Sequence, residues 1–190
     1  MNLRELKLLI DYAINDCQRI IRENPKSVLS EGDFEQLLSD CIAKRIGYVT
    51  TAPQANDFTV HTQISHYNNE NDKYDAKVDI LIAKQNDIKK SWSLNKQYEI
   101  YQASESFAIE LKYLHAVSKN ILKKATEDID KFKNYYKDDS HYYSIVLLDK
   151  NENTINYKKE ILKYFKDEKA KLGKKYRNNI YCKVLTKKSE

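Results

Sequence analysis

Ser106-Phe107-Ala108-Ile109-Glu110-Leu111-Lys112-Tyr113 has the apolar content of a strand, yet a glutamate stands in its middle. Acidic residues are depleted in strand interiors. Side chains two apart point the same way, so Glu110 and Lys112 share one face while Ile109, Leu111 and Tyr113 pack on the other. Upstream, Val78-Asp79-Ile80-Leu81-Ile82 breaks the same rule with Asp79. If Asp79 lies on a neighbouring strand facing the same way, its carboxylate and that of Glu110 converge within metal-bridging distance. That pair suits Mg2+, with Mn2+ as a substitute, because Mg2+ takes one or two carboxylates, keeps several waters and binds phosphate oxygens. A bound ion lowers the pKa of its water and neutralises charge on a phosphoryl group. Lys112 would orient that water or stabilise the developing charge.

The elements on either side predict an α/β fold with a central mixed sheet flanked by helices. Leu6, Leu9, Ile10, Ala13, Ile14, Cys17, Ile20 and Ile21 recur at helical spacing over Leu3 to Asn24, and Pro25 stops that helix. Ser30-Glu31-Gly32-Asp33 is a capping signal, and Gly47 sits where a left-handed cap is expected, so a second helix runs from about residue 31 to about 46. Residues 58–64 alternate as a strand, residues 66–75 form a polar loop, and residues 78–82 form the next strand. Residues 84–97 are polar and irregular, which makes 84–105 a long excursion before the Glu110 strand. Ile121, Leu122, Ala125, Ile129, Phe132 and Tyr136 predict a helix over 118–136. The apolar run 142–148 then reads as a buried strand, reached by a parallel crossover. A helix over 155–172, ending at Gly173, and a strand over 180–185 complete the chain.

Taken together, Glu35 on the second helix, Asp79 on an apolar strand and Glu110-Leu111-Lys112 on the next resemble the PD-(D/E)XK nuclease superfamily, the restriction-endonuclease-like fold. The resemblance covers about residues 30–150, and implies a core of a helix, a three-stranded antiparallel meander, a crossover helix and a parallel strand. Residues 1–29 are then an N-terminal helical extension and 151–190 a basic C-terminal helix and strand, within one nuclease domain. The resemblance further implies that Asp79 and Glu110 are metal ligands, the Leu111 carbonyl a third, and Lys112 the catalytic lysine. Glu35 would be an auxiliary acid, on the metal directly or through water. Two departures stand out: Val78 replaces the motif's proline, and 31 positions separate Asp79 from Glu110. The loop acids Asp72 and Asp75 compete for the ligand role but lack the apolar strand context. The implied activity is Mg2+-dependent hydrolysis of double-stranded DNA by an endonuclease of restriction type. With little chain left for recognition, the enzyme is expected to be a homodimer, or a single-strand-cutting subunit beside a separate DNA-recognition protein. The rival readings are a non-catalytic nucleic-acid-binding or assembly module, and a repair or recombination nuclease for branched DNA.

Composition narrows the alternatives. The 190 residues, 41% hydrophobic and 32% charged, are enough for a real core and unlike a disordered chain. No apolar run approaches the ~18 residues of a membrane span, and charged residues interrupt the N-terminus, so the expectation is a cytoplasmic chain with no membrane partner. Cys17, Cys41 and Cys182 are odd in number and lack metal-ligand spacing, and no HExxH, GxGxxG, Walker A or G-x-S-x-G is present. His61 and His115 read as partly buried or surface histidines, with His115 near enough to the Glu110 strand to contact a phosphate.

The charge of +5 is unevenly spread: residues 151–190 hold 12 Lys or Arg against 5 Asp or Glu, and residues 1–150 hold 21 against 23. A basic stretch of this kind follows a phosphate backbone through counterion release. Lys119, Lys123, Lys124, Lys174, Lys175 and Arg177 are the expected backbone contacts. Tyr135, Tyr136, Tyr142, Tyr143, Tyr176 and Tyr181 lie near lysines, where they either stack bases or pack the core.

Overall fold

The computed structural model describes residues 1–47, 57–67, 74–92, 99–102, 105–115, 140–149, 154–172 and 174–187. Helix α1 spans Leu3–Glu23, opened by a capping box in which Asn2 accepts from the Glu5 amide and Glu5 from that of Asn2. After a 3-10 turn at Pro25–Ser27, helix α2 spans Glu31–Ile46. Ser30 and Asp33 form its capping box, and Gly47 ends it at φ 71°, a left-handed conformation that a side chain would disfavour.

Seven strands follow among the described residues: β1 Phe58–Tyr67, β2 Tyr74–Lys84, β3 Lys89–Trp92, β4 Glu99–Gln102, β5 Ser106–Leu114, β6 His141–Leu148 and β7 Ile180–Thr186. Helix α3 (Thr154–Ala170) and the short α4 (Lys174–Arg177) lie between β6 and β7. The strand order is β3-β4-β1-β2-β5-β6-β7. β1, β2 and β5 run antiparallel in succession, whereas β5, β6 and β7 are parallel. These five make the mixed sheet. The β3–β4 ribbon joins its margin through one residue pair, His66 with Tyr101.

Helices cover both faces. α1 and α2 bury Leu6, Ile10, Phe34, Leu38 and Ile42 against Ile80, Ile82, Phe107, Ile109, Leu111, Tyr143, Ile145 and Leu147. On the opposite face, Ile161 and Phe165 of α3 pack over Ala108, Tyr142, Val146, Leu148, Ile180 and Val184. β6 is buried on both sides, which is why its sequence is continuously apolar. Tyr142 and Tyr143 belong to this core and are closed to base stacking.

The structure departs from the sequence reading in four places. β1 continues to Tyr67 and β2 begins at Tyr74, so the strands take in both ends of the expected polar loop, whose residues 68–73 lie outside the described residues. Residues 84–97, expected to be irregular, carry a 3-10 turn at Gln85–Asp87 and strand β3, because pairing with β4 orders a segment with no apolar period of its own. α3 stops at Ala170, two residues early, and α4 was not anticipated. The expected helix over 118–136 lies outside the described residues. Among the described residues no helix is long and apolar enough to cross a membrane.

Candidate active site

The ladder between β2 and β5 runs from Ala83 opposite Ser106 to Ile80 opposite Ile109 and stops. The next residue on β2 is Asp79, and the next on β5 is Glu110. Here β2 rotates: Ile80 packs with the α1–α2 core, whereas Val78, which should share its face, packs with Ala108 and Phe165 on the other. Asp79 occupies the residue across which that rotation takes place.

Parting strands expose backbone groups that must find new partners. The Leu111 amide donates to Asp79 Oδ2 at 2.7 Å, and the Tyr113 amide donates to Glu31 Oε2 at 3.1 Å. Alternate residues send their amides to the same edge of a strand, so these are successive donors on the edge that β2 has left. A carboxylate replaces the missing ladder acceptor at each. Charge-assisted bonds of this kind are the stronger class and fix Asp79 against the backbone between Glu110 and Lys112.

Across the β1–β2 hairpin, the flanking pairs Thr62–Ile80 and Ile64–Val78 place Gln63 opposite Asp79. Gln63 is the single positive-φ residue other than glycine among the described residues, at φ 54°. Its carboxamide Nε2 donates to Glu35 Oε2 and lies 3.5 Å from Asp79 Oδ1. The acid on α2 and the acid on β2 are thus joined through one side chain. Alternation marked Gln63 as an ordinary polar position of β1; only the cross-strand register reveals it as part of the site.

Glu110 is 4% exposed and level with Ser144 of β6. Its side chain is on the sheet face opposite Ile109 and Leu111, and half-buried Lys112 shares that face by the strand period. The structure therefore brings Glu35, Gln63, Asp79 and the Leu111 amide into one chain of contacts, with Glu110 and Lys112 on either side of Leu111. Among the described residues no three His, Cys, Asp or Glu side chains gather as an ion cage. Of the expected backbone contacts, Lys119, Lys123 and Lys124 lie outside the described residues, whereas Lys174 and Arg177 are exposed on α4, which also carries Lys175.

At the C-terminal ends of β5, β6 and β7 a second polar group closes the sheet. Lys187 Nζ donates to the Tyr113 hydroxyl at 2.6 Å and lies 2.8 Å from Asp149 Oδ1; His115 Nδ1 is 2.8 Å from Asp149 Oδ2. Burial works to raise the Asp149 carboxyl, but hydrogen bonds from Lys187, Tyr113 and His115 outweigh it and hold it below the ordinary carboxylate range. Burial likewise opposes the Lys187 ammonium, which Asp149 and Tyr113 nevertheless hold above its usual value. His61 is shifted down by burial and is 2.7 Å from Thr59 Oγ1, a structural position.

No family model matches this chain, and no curated protein or solved structure matches it.

Proposed function

We propose that this chain is a Mg2+-dependent DNA endonuclease of restriction type, built on the restriction-endonuclease-like fold of the PD-(D/E)XK superfamily. The supporting topology is a helix, three antiparallel strands and then parallel strands, in the order that resemblance implies. The observation that carries the reading is Asp79: a carboxylate at the point where two strands part, held on the Leu111 amide and linked through Gln63 to Glu35. Strand separation at an acidic pair makes room for an ion and a phosphate at a rigid sheet rather than on a loop.

The residues fit Mg2+, which needs only one or two protein carboxylates. Asp79 and Glu110 are the proposed ligands. A strand residue sends its carbonyl to the same edge as its amide, so the Leu111 carbonyl leaves β5 on the Asp79 side. Glu35 would join directly or through water. Bound there, the ion supplies an activated water and neutralises phosphate charge. Lys112 orients the attacking water and stabilises charge on the phosphate, while the Leu111 amide fixes the Asp79 rotamer. In-line attack forms a P–O bond and breaks the bond to the 3′ oxygen, leaving 5′-phosphate and 3′-hydroxyl ends.

Cleavage of supercoiled plasmid in Mg2+ and in Mn2+ tests this, with EDTA, Asp79→Ala and Lys112→Ala alongside. Metal-dependent nicking or linearisation that both substitutions abolish is expected. A predominance of nicked product would favour the single-strand-cutting subunit with a separate recognition protein, and linear product the homodimer. Competition between duplex and branched DNA separates a restriction-type enzyme from a repair or recombination nuclease. One observation favours the non-catalytic binding module instead: Gln63 donates to Glu35 and approaches Asp79, so a side-chain amide bridges the two acids that a metal would join. That module should show no Mn2+ binding that Asp79→Ala removes.

A further inference from the structure

Where α1 and α3 meet the outer edge of β7, an open groove of about 350 Å³ is lined by Lys7, Lys166, Lys169 and Lys183, over Phe165 and Tyr181. The four lysines come from three elements, α1, α3 and β7. Lys169 donates to the Ile180 carbonyl, and burial pushes its pKa down. Lys7 and Lys183 share one carboxylate, Asp11, at 2.7 and 3.1 Å. Lys7 and Lys169 stand 4.6 and 5.7 Å from the centre of the Tyr181 ring. Gathering four cations in one groove, only two of them on an acid among the described residues, costs free energy through mutual repulsion, and an anion in the groove relieves it.

We propose that this groove binds the phosphate backbone of a nucleic acid strand. Three of its four lysines come from residues 151–190, the stretch whose 12 cations face 5 acids while the rest of the chain is slightly acidic. Base stacking is not what the groove offers: Tyr181 is covered by Lys7 and Lys169, and its ring packs 4.8 Å from that of Tyr143. Charge without a free aromatic face fits backbone contact, which carries no sequence information. The identification of the strand as nucleic acid rests on the nuclease reading. The groove is also placed to serve it, since Cys182 on its wall is level with Ser144 and through it with Glu110, two strand spacings or about 10 Å away. None of these lysines is among those the sequence pattern singles out.

The test is fluorescence anisotropy in EDTA, where no cleavage occurs, with a labelled duplex and a labelled single strand of the same sequence across a salt series. Each lost phosphate contact lowers the salt slope by about 0.9 on duplex and about 0.7 on single strand. Lys166→Gln with Lys169→Gln leaves the Asp11 pairs intact and should flatten the slope by about 1.8 on duplex or about 1.4 on single strand, which identifies the form bound. Lys7→Gln with Lys183→Gln should do the same, and the four Lys→Arg exchanges should restore the wild-type slope. Unchanged slopes in both double variants, or no DNA binding by the wild-type chain, would overturn the proposal. So would displacement of the DNA by polyglutamate at equal charge concentration, which points to an acidic protein partner. Flattened slopes in a chain that shows no Mn2+ binding removed by Asp79→Ala would leave the groove standing and the nuclease reading refuted.

Discussion

At position 63 the usual ranking of alanine and glycine in a strand should invert. Glycine is ordinarily less stable there by roughly 0.5–1 kcal/mol, because it loses more backbone freedom on folding. Gln63, however, sits at φ 54°, where a Cβ crowds the following carbonyl oxygen at a cost of about 1–2 kcal/mol. Gln63→Ala keeps that cost and deletes the carboxamide, whereas Gln63→Gly deletes both. The contacts to Glu35 and Asp79 are lost in each variant and cancel in the comparison. The difference left over is centred on about 0.75 kcal/mol in favour of glycine. For a chain of this size that is a rise of roughly 1–4 °C in Tm for Gly over Ala, with a matching shift in urea midpoint at unchanged slope. Backbone strain persists where the surrounding structure over-determines it, and here the carboxamide bridge is the compensation. An alanine variant as stable as the glycine variant would remove the strain, and with it the argument that the backbone is bent to aim Gln63 at the two acids.

Asp79→Leu leaves the Leu111 amide without its acceptor and should cost about 1–3 kcal/mol in urea unfolding; Asp79→Asn keeps an acceptor there and should cost less, while on the proposed function both should abolish plasmid cleavage. Ile145 is fully buried between the helices and the sheet, so Ile145→Ala should destabilise by about 2–5 kcal/mol in the same assay. The depressed Asp149 carboxyl contributes stability that is complete above its ordinary value of 3.8 and is lost as pH falls through the lower folded value. Thermal melts from pH 6 downward should therefore lose Tm less steeply in Asp149→Asn than in the wild type; parallel curves would refute the network's role. Gln18 pairs its side-chain amide with both backbone groups of Thr186 on the edge strand β7. Gln18→Ala should cost about 1–3 kcal/mol for two lost bonds and raise self-association, read by light scattering, as the edge opens.

Helices announce themselves by local rules, and α1 and α2 were legible to within a residue because the apolar period with Pro25, and Ser30, Asp33 and Gly47, act on their immediate neighbours. Asp79 and Glu110 stood out for a related reason, as charges inside apolar runs. What resisted reading depended on partners distant in sequence. Lys89 to Trp92 becomes a strand only through β4, and Gln63 becomes a site residue only because the register sets it opposite Asp79. Glu31, an unremarkable first-turn acid in sequence, takes the Tyr113 amide because β2 has turned away. The groove at β7 was legible only as an excess of positive charge, since Lys7 reaches it from the far end of the chain.

The insertion that separates Asp79 from Glu110 in sequence does not separate them in space. Ala83 and Ser106 face each other across the ladder, and Lys84 and Glu105 close the neck above them with a 3.0 Å ion pair. The chain therefore leaves β2 and enters β5 across a gap about 5 Å wide. Whatever length evolution or an engineer places in that gap, the two acidic positions inherit their separation from the ladder beneath. Replacing residues 85–104 by a two-residue Asn-Gly turn should therefore preserve the β2–β5 register. The same gap accepts a foreign domain whose termini lie close together, making it a grafting point one strand-length from the acidic pair.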